Sequence, residues 1–275
     1  MTLDIGWFST GRGPGSRRLL AAVQDEIASG RLDARIAVVF CNRNPGEDEN
    51  TDLFLEQVRG YGAPLVSLSS REFRRRRGEK PVLKGELLPE WRSEYDREAM
   101  RLLEPYPFDI GVLAGYMLIF TELFLSQYDL LNLHPAAPGG PKGIWQDVIW
   151  QLIETRAQRA GVMMHLATPE LDEGPPVTFC SYALRGPSFD SLWRDVEART
   201  VEDIKAAEAE ANALFAEIRH QGVAREVPLV IETLRALAER RICIAEKQPT
   251  DAAGNPIPPA DLTREIERVV AETPA

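Results

Sequence analysis

Cysteine is scarce in this 275-residue chain, and its scarcity excludes several designs at once. The three cysteines, Cys41, Cys180 and Cys243, are odd in number and far apart, with no C-x-x-C pair. That rules against a disulfide framework and a cysteine-rich zinc site, and fits a reducing compartment. The three histidines, His134, His165 and His220, do not fall at metal-ligand spacing either, so no metal is expected. Positive charge is also in deficit. The formal net charge is −10, which disfavours broad binding to nucleic acid or an anionic membrane. No apolar run approaches the roughly 18 residues needed to span a bilayer. The opening "MTLDIGWFST" has no basic segment or long apolar core of the signal-peptide kind, so a cytoplasmic location is expected. A G-x-S-x-G nucleophile elbow is missing, which argues against a serine hydrolase.

What is present is alternation. Short apolar runs at residues 3–9, 34–41, 64–68, 109–114 and 129–133 read as strands. Amphipathic stretches at 16–29, 51–61, 90–103 and 121–127 read as helices, the first with Ser16 as N-cap and Gly30 beyond its end. Repeated strand–helix–strand units predict an α/β fold with a doubly wound, mostly parallel, Rossmann-like sheet. After Ile144 come a helix at 144–156 and strands at 161–168 and 177–184. A charged, alanine-rich helical region follows at 188–222, then a helix at 227–237, a short strand at 241–245, a loop-like tail and a terminal helix at 263–271. The expected division is a core domain at residues 1–185 and a helical carboxyl-terminal extension at 186–275. The 188–222 segment suits either a dimer interface or a lid, and the sequence does not choose.

Two stretches carry chemistry. In "DIGWFSTGRGPGSRRLL" a glycine-rich loop joins a strand to a helix, where free backbone N–H groups and the helix dipole suit an anion. Gly13, Gly15, Ser16 and Arg17 are the candidate phosphate contacts. A P-loop would need Lys-Ser or Lys-Thr after the last glycine, and a dinucleotide site an acid about 20 residues on. The chain has Ser-Arg and, at the end of the next strand, Asn42-Arg43, so a simple phosphate monoester fits better. In "DLLNLHPAAPGGPKG", Asn132 and His134 lie two apart on a strand and so share a face at its carboxyl end. Pro135 then stops regular pairing. Asp172, in "TPELDEGPP", is the candidate carboxylate partner. An amide, an imidazole and a carboxylate make an acyl-transfer set: two donors for an oxyanion and one group to manage protons. The basic run "REFRRRRGEK" at residues 71–80 reads as a solvated loop or as a lure for a polyanion.

The ordered set of glycine loop, "VLAGYMLIF", "LLNLHP" and "GVMMHLATPELDEGP" resembles the folate-dependent formyltransferase family, from about residue 3 to 184. The resemblance implies transfer of a formyl group from 10-formyltetrahydrofolate, as co-substrate, to a primary amine without metal. The first acceptor it implies is the small phosphorylated amine glycinamide ribonucleotide, in purine biosynthesis. An amino sugar nucleotide as acceptor, hydrolysis of formyltetrahydrofolate, and a non-catalytic nucleotide- or folate-binding Rossmann-like protein are the alternatives. The family's catalytic Asn, His and Asp fall on Asn132, His134 and Asp172, and its phosphate loop on Gly15 and Ser16, with Arg17 where asparagine is usual. The folate-cleft segment falls on Met117, Leu118, Ile119 and Phe120, with Arg92 supporting the folate tail and Leu118 where an arginine is usual.

Overall fold

The computed structural model describes residues 2–81 and 88–272, which form two compact units built from interleaved segments. The first draws on Met1–Asn132, Leu166–Pro175 and Leu234–Pro256, the second on Leu133–His165, Pro176–Thr233 and Ile257–Ala275.

The first unit alternates β1 (Leu3–Ser9), α1 (Pro14–Ala28), β2 (Ala34–Cys41), α2 (Glu49–Gly60), β3 (Leu65–Ser67), α3 (Ser70–Arg76), α4 (Glu90–Leu103), β4 (Ile110–Leu113), α5 (Glu122–Gln127) and the start of β5 (Leu130–His134). All pairings here are parallel, in the order β5-β4-β1-β2-β3. β1, β2 and β4 are buried for most of their length, which is why they read as continuous apolar runs and not as alternation. Register aligns their carboxyl ends: Ser9 lies opposite Cys41, Cys41 opposite Ser67, and Leu113 opposite Asn132. One edge of the sheet therefore collects the last residue or two of five strands, where ligands of such sheets bind. Phe8 anchors the core, its ring within 6.2 Å of the rings of Phe40, Phe108, Tyr116, Phe120 and Phe124. Aromatic side chains bury the most area per residue and pack edge to face here.

The second unit begins at Leu133, late in β5, and continues with α6 (Trp145–Glu154), β6 (Arg159–Leu166), β7 (Pro176–Ala183), α7 (Asp190–Asp195), α8 (Val201–Ala207) and most of α9 (Ala213–Ala238). β6 and β7 pair antiparallel. The short β8 (Cys243–Ala245) and β9 (Gln248–Thr250) form a hairpin in the first unit. In the second unit β10 (Ala260–Asp261), within the stretch expected to be loop, pairs parallel with β7, and α10 (Thr263–Glu272) follows. The core here is built around Trp150, Trp193, Phe215 and their aliphatic neighbours.

Two expectations fail on local chemistry. Ser16 does not cap α1; Gly13 is the N-cap, without a side-chain bond, and Ser16 is buried inside the first turn. Pro14, with φ already set for a helix and no N–H to satisfy, starts the helix two residues earlier. Nor does a break separate residues 222 and 227. α9 runs for 26 residues through Gly222 and Pro228. Leu214, Phe215 and Ile218 before these residues, and Leu229, Val230 and Thr233 after them, are all at most 2% exposed. Burial of five large apolar side chains, at about 1.5–3 kcal/mol each, outweighs helix penalties of about 1 kcal/mol for glycine and about 3 kcal/mol for proline. Among the described residues no helix is long and apolar enough to cross a membrane.

Candidate active site

The glycine loop leaves β1 at Ser9 and is stitched to the loop that follows β4. Thr10 is the hinge of that stitching. Its backbone N–H donates to the Gly115 carbonyl at 3.1 Å, and its hydroxyl accepts the Met117 N–H at 2.9 Å. Ser9 adds a third link, its hydroxyl donating to the Ala114 carbonyl at 2.8 Å while accepting from the Gly11 N–H. Gly115 sits at φ +70, and a Cβ there would come within 2.8 Å of the Ser16 hydroxyl. Only glycine serves both the left-handed turn and that close approach. The expected anion loop and the expected folate segment are thus one hydrogen-bonded assembly in the first unit. Ser9, Thr10 and Gly115, which hold it, were not singled out by sequence reasoning. Their signal was the polar pair ending an otherwise apolar strand.

At the loop itself, a Cβ at Gly13 or Gly15 would meet nothing within 4 Å, so the backbone of both faces open space at the start of a 15-residue helix. That is the arrangement an anion needs to reach N–H groups and the positive end of the dipole. Arg17 points elsewhere. Its guanidinium donates to the Asn50 carbonyl at 3.2 Å and to the Asn50 side chain at 3.3 Å, in the first turn of α2.

Of the residues expected to line a folate cleft, Met117 is exposed and lines a cavity with Leu118, Arg92 and Arg12. Arg92, only 3% exposed, donates to the Ile119 carbonyl and so pins the segment to α4. Phe120 lies in the aromatic core, stacked on Tyr116 and Phe124 at 4.7 and 4.1 Å, which makes it a packing residue. Asp96 holds the end of the segment, its carboxylate accepting both the Thr121 N–H and hydroxyl at 2.7 Å. Burial pushes the Asp96 carboxyl above the ordinary carboxylate range, against those two hydrogen bonds.

The amide and the carboxylate of the expected catalytic set meet within the first unit. Asn132 Nδ2 donates to Asp172 Oδ1 at 3.4 Å, across 40 residues of chain. The bond is long, and both side chains remain partly accessible. Asp172 stands at φ +56, a left-handed conformation uncommon outside glycine but tolerated by aspartate. Such strain persists only where the surroundings enforce it, and it gathers at functional positions. His134, at the end of β5 and in the second unit, is 2% exposed. Its Nε2 lies 2.9 Å from the Pro141 carbonyl, and its ring meets that of His165 edge to face with centroids 6.0 Å apart. A carbonyl can only accept, so Nε2 carries a proton and Nδ1 is the nitrogen whose protonation sets the ring's charge. His165, 2% exposed, is a buried neighbour and His220 lies on α9. Cys41 ends β2 at the same sheet edge as Asn132, but burial raises its thiol to about 12, which removes it as a nucleophile.

A five-strand parallel sheet whose carboxyl ends gather at one edge, beside a glycine loop and an Asn–Asp pair, defines a protein of the open α/β class. The particular class is set by comparison with known proteins. The chain belongs to the formyl transferase family, which it matches over residues 13–182. It is 30% identical over 161 residues to the phosphoribosylglycinamide formyltransferase of Escherichia coli (strain K12), covering 58% of this chain and 64% of that one. The protein of the same name from Dictyostelium discoideum is 29% identical over 184 residues, covering 63% of this chain and 80% of that one. Among solved structures, glycinamide ribonucleotide transformylase 1 from Symbiobacterium toebii superposes with a TM-score of 0.62 at 23% identity. That superposition covers 91% of this chain and 94% of the other, and shows a shared fold.

Proposed function

We propose that the chain transfers a formyl group from 10-formyltetrahydrofolate to a primary amine, with glycinamide ribonucleotide as the acceptor, in purine biosynthesis. The observation that carries this reading is the Asn132–Asp172 contact at the carboxyl edge of the sheet. It lies two strand residues from His134, in a chain whose family transfers formyl groups. The phosphate of the acceptor belongs at Gly13, Gly15 and Ser16, where backbone donors open the helix. The folate belongs along Met117–Ile119, with Arg92 behind it.

The chemistry needs no covalent enzyme intermediate. The neutral amine attacks the formyl carbon, a carbon–nitrogen bond forms, and the carbonyl oxygen takes the negative charge. Asn132 Nδ2 donates to that oxygen. Collapse breaks the bond to the folate nitrogen. The proton lost by the amine reaches that nitrogen through Asp172. The reaction is tested by presenting 10-formyltetrahydrofolate to the purified protein with a panel of amines led by glycinamide ribonucleotide. Tetrahydrofolate release that depends on glycinamide ribonucleotide is the expected result. Release with an amino sugar nucleotide instead reassigns the acceptor, release of formate without amine assigns a hydrolase, and no release under any condition overturns the reading.

A further inference from the structure

Residues 136–141, AAPGGP, carry no side chain that formyl transfer uses, yet they wall a cleft of about 490 Å³ in the second unit. That volume falls in the range of roughly 300–1,000 Å³ typical of small-molecule sites. The rest of the lining comes mainly from one face of the β6–β7 pair. Gly161 lies opposite Ser181 in the antiparallel register, so Arg159, Phe179 and Ser181 project from the same side as the bare backbone of Gly161. A Cβ at Gly161 would come within 2.8 Å of the Ala137 Cβ and 2.5 Å of the Cys180 carbonyl oxygen. Glycine there lets the loop lie directly on β6.

The cleft holds two unused groups. Phe179 is only partly buried, and its ring meets no other ring and no cation among the described residues. Arg159 is exposed, and its Nη2 donates to the Ser181 hydroxyl at 2.8 Å and to the Ser181 carbonyl at 3.4 Å. Its Nε and Nη1 donate to nothing, and no carboxylate pairs with it, among the described residues. None of the lining residues is acidic, so the guanidinium stands unmatched beside an apolar wall. The bond to Ser181 holds it over the strand face, and Ser181 lies two residues, about 7 Å, from Phe179. A ring resting on Phe179 therefore brings a carboxylate attached to it to the free edge of the fork. The loop is ready for such a guest, because alanine, glycine and proline have almost no side-chain freedom to lose on binding.

We propose that this cleft binds a planar aromatic monocarboxylate, its ring between the loop and Phe179 and its carboxylate on Arg159, and that occupancy is transmitted to His134. The link is short and lies within the second unit. The Gly140 N–H donates to the Ala137 carbonyl at 2.9 Å, and the carbonyl of the next residue, Pro141, accepts from His134 Nε2 at 2.9 Å. A ring pressed against residues 136–140 thus bears on the turn that carries the imidazole's acceptor. The cleft shares no lining residue with the cavity at Met117. Binding goes beyond formyl transfer; only its consequence for turnover rests on that reading.

Naphthalene-2-carboxylate, indole-3-acetate and the neutral naphthalene-2-carboxamide are titrated by calorimetry into the full-length protein and into Arg159→Gln. Glutamine keeps a donor for Ser181 without the charge, so the unliganded melting temperature should hold. Saturable one-to-one binding of the carboxylates is expected, weakened about tenfold or more in the variant, with the carboxamide unaffected by the substitution. His134 is one of only three histidines, so its imidazole resonances can be followed by selective labelling and should shift at saturation, while those of His220 stay in place. No saturation by either carboxylate, or equal affinity in wild type and variant, overturns the site. Saturation that leaves the His134 resonances unmoved overturns the link to the imidazole. A dimer that must dissociate before the probes bind gives the cleft to a second copy of the chain and overturns it as a ligand site. Each outcome is read without the formyl-transfer assay, so the two readings fail separately.

Discussion

Two glycine- and proline-rich loops in this chain have similar composition and opposite polarity. The first, residues 11–15, turns its backbone outward: Gly13 and Gly15 face open space, and Arg12 adds a guanidinium to a cavity of arginines. It offers donors, so it suits an anion. The second, residues 139–143, turns a carbonyl inward, and Pro141 accepts from the His134 ring at 2.9 Å. It offers an acceptor, so it fixes a proton on a chosen nitrogen. The difference comes from what each loop leads into. The first opens a 15-residue helix whose early N–H groups need partners, while the second closes over a buried imidazole that needs an acceptor.

This contrast can be broken most sharply at the strand end that precedes the second loop. Under the proposed reaction, Asn132→Ala removes a donor to charge that exists only in the transition state. It should lower kcat by about 10²–10³-fold with KM for both substrates little changed, read from steady-state kinetics on a folded variant. A change in KM alone would show that Asn132 merely binds substrate. Gly140→Ala tests the second loop as packed structure: its Cβ would lie 2.9 Å from the Ala137 carbonyl oxygen. A loss of about 1–3 kcal/mol in urea unfolding is expected, together with a shift of the His134 imidazole resonances. Gly15→Ala tests the first loop as binding surface. The new methyl meets no protein atom within 4 Å and sits in a helix, so stability should hold or rise by up to about 1 kcal/mol. The KM for the phosphorylated amine should nonetheless rise by about tenfold, as the methyl takes space the anion uses. Equal KM in wild type and variant would move the phosphate away from this loop.

The smallest effect concerns the segment that the first loop holds in place. Burial raises the Asp96 carboxyl above its unfolded value near 3.8, so its contribution to stability is fully present below that value and is lost as pH rises through the raised one. Asp96→Asn keeps an acceptor for Thr121 and cannot ionise. Relative to wild type it should gain stability as pH rises above about 4, with a slope of at most about 1.4 kcal/mol per pH unit, measured by denaturant unfolding at fixed ionic strength. A parallel pair of stability–pH curves would show that Asp96 is not the group responsible.

Much of the first unit was legible because its signals are local. β1 and β2 fall at Leu3–Ser9 and Ala34–Cys41 and α4 at Glu90–Leu103, as their apolar runs and helical periodicity predict. α9 was not legible, because burial on both sides of Gly222 and Pro228 overrides two local helix breakers. The N-cap of α1 was misplaced because Pro14, not Ser16, sets the start. Arg17 reads as a phosphate donor from its place in the loop, yet it is held by Asn50, 33 residues away.

By itself the sequence determined which side chains reach the carboxyl edge of the sheet, because strand periodicity and proline stops act over a few residues. That is enough to put Asn132 there and to make a donor-rich turn after β1. Only the tertiary structure decided what those groups meet. The Asn132–Asp172 contact closes over 40 residues, Thr10 joins Met117 over 107, and the arginines at 12, 43, 71, 74 and 92 line one cavity. The physical reason is that hydrogen bonding and charge depend on distance in space, and only the packed sheet sets that distance.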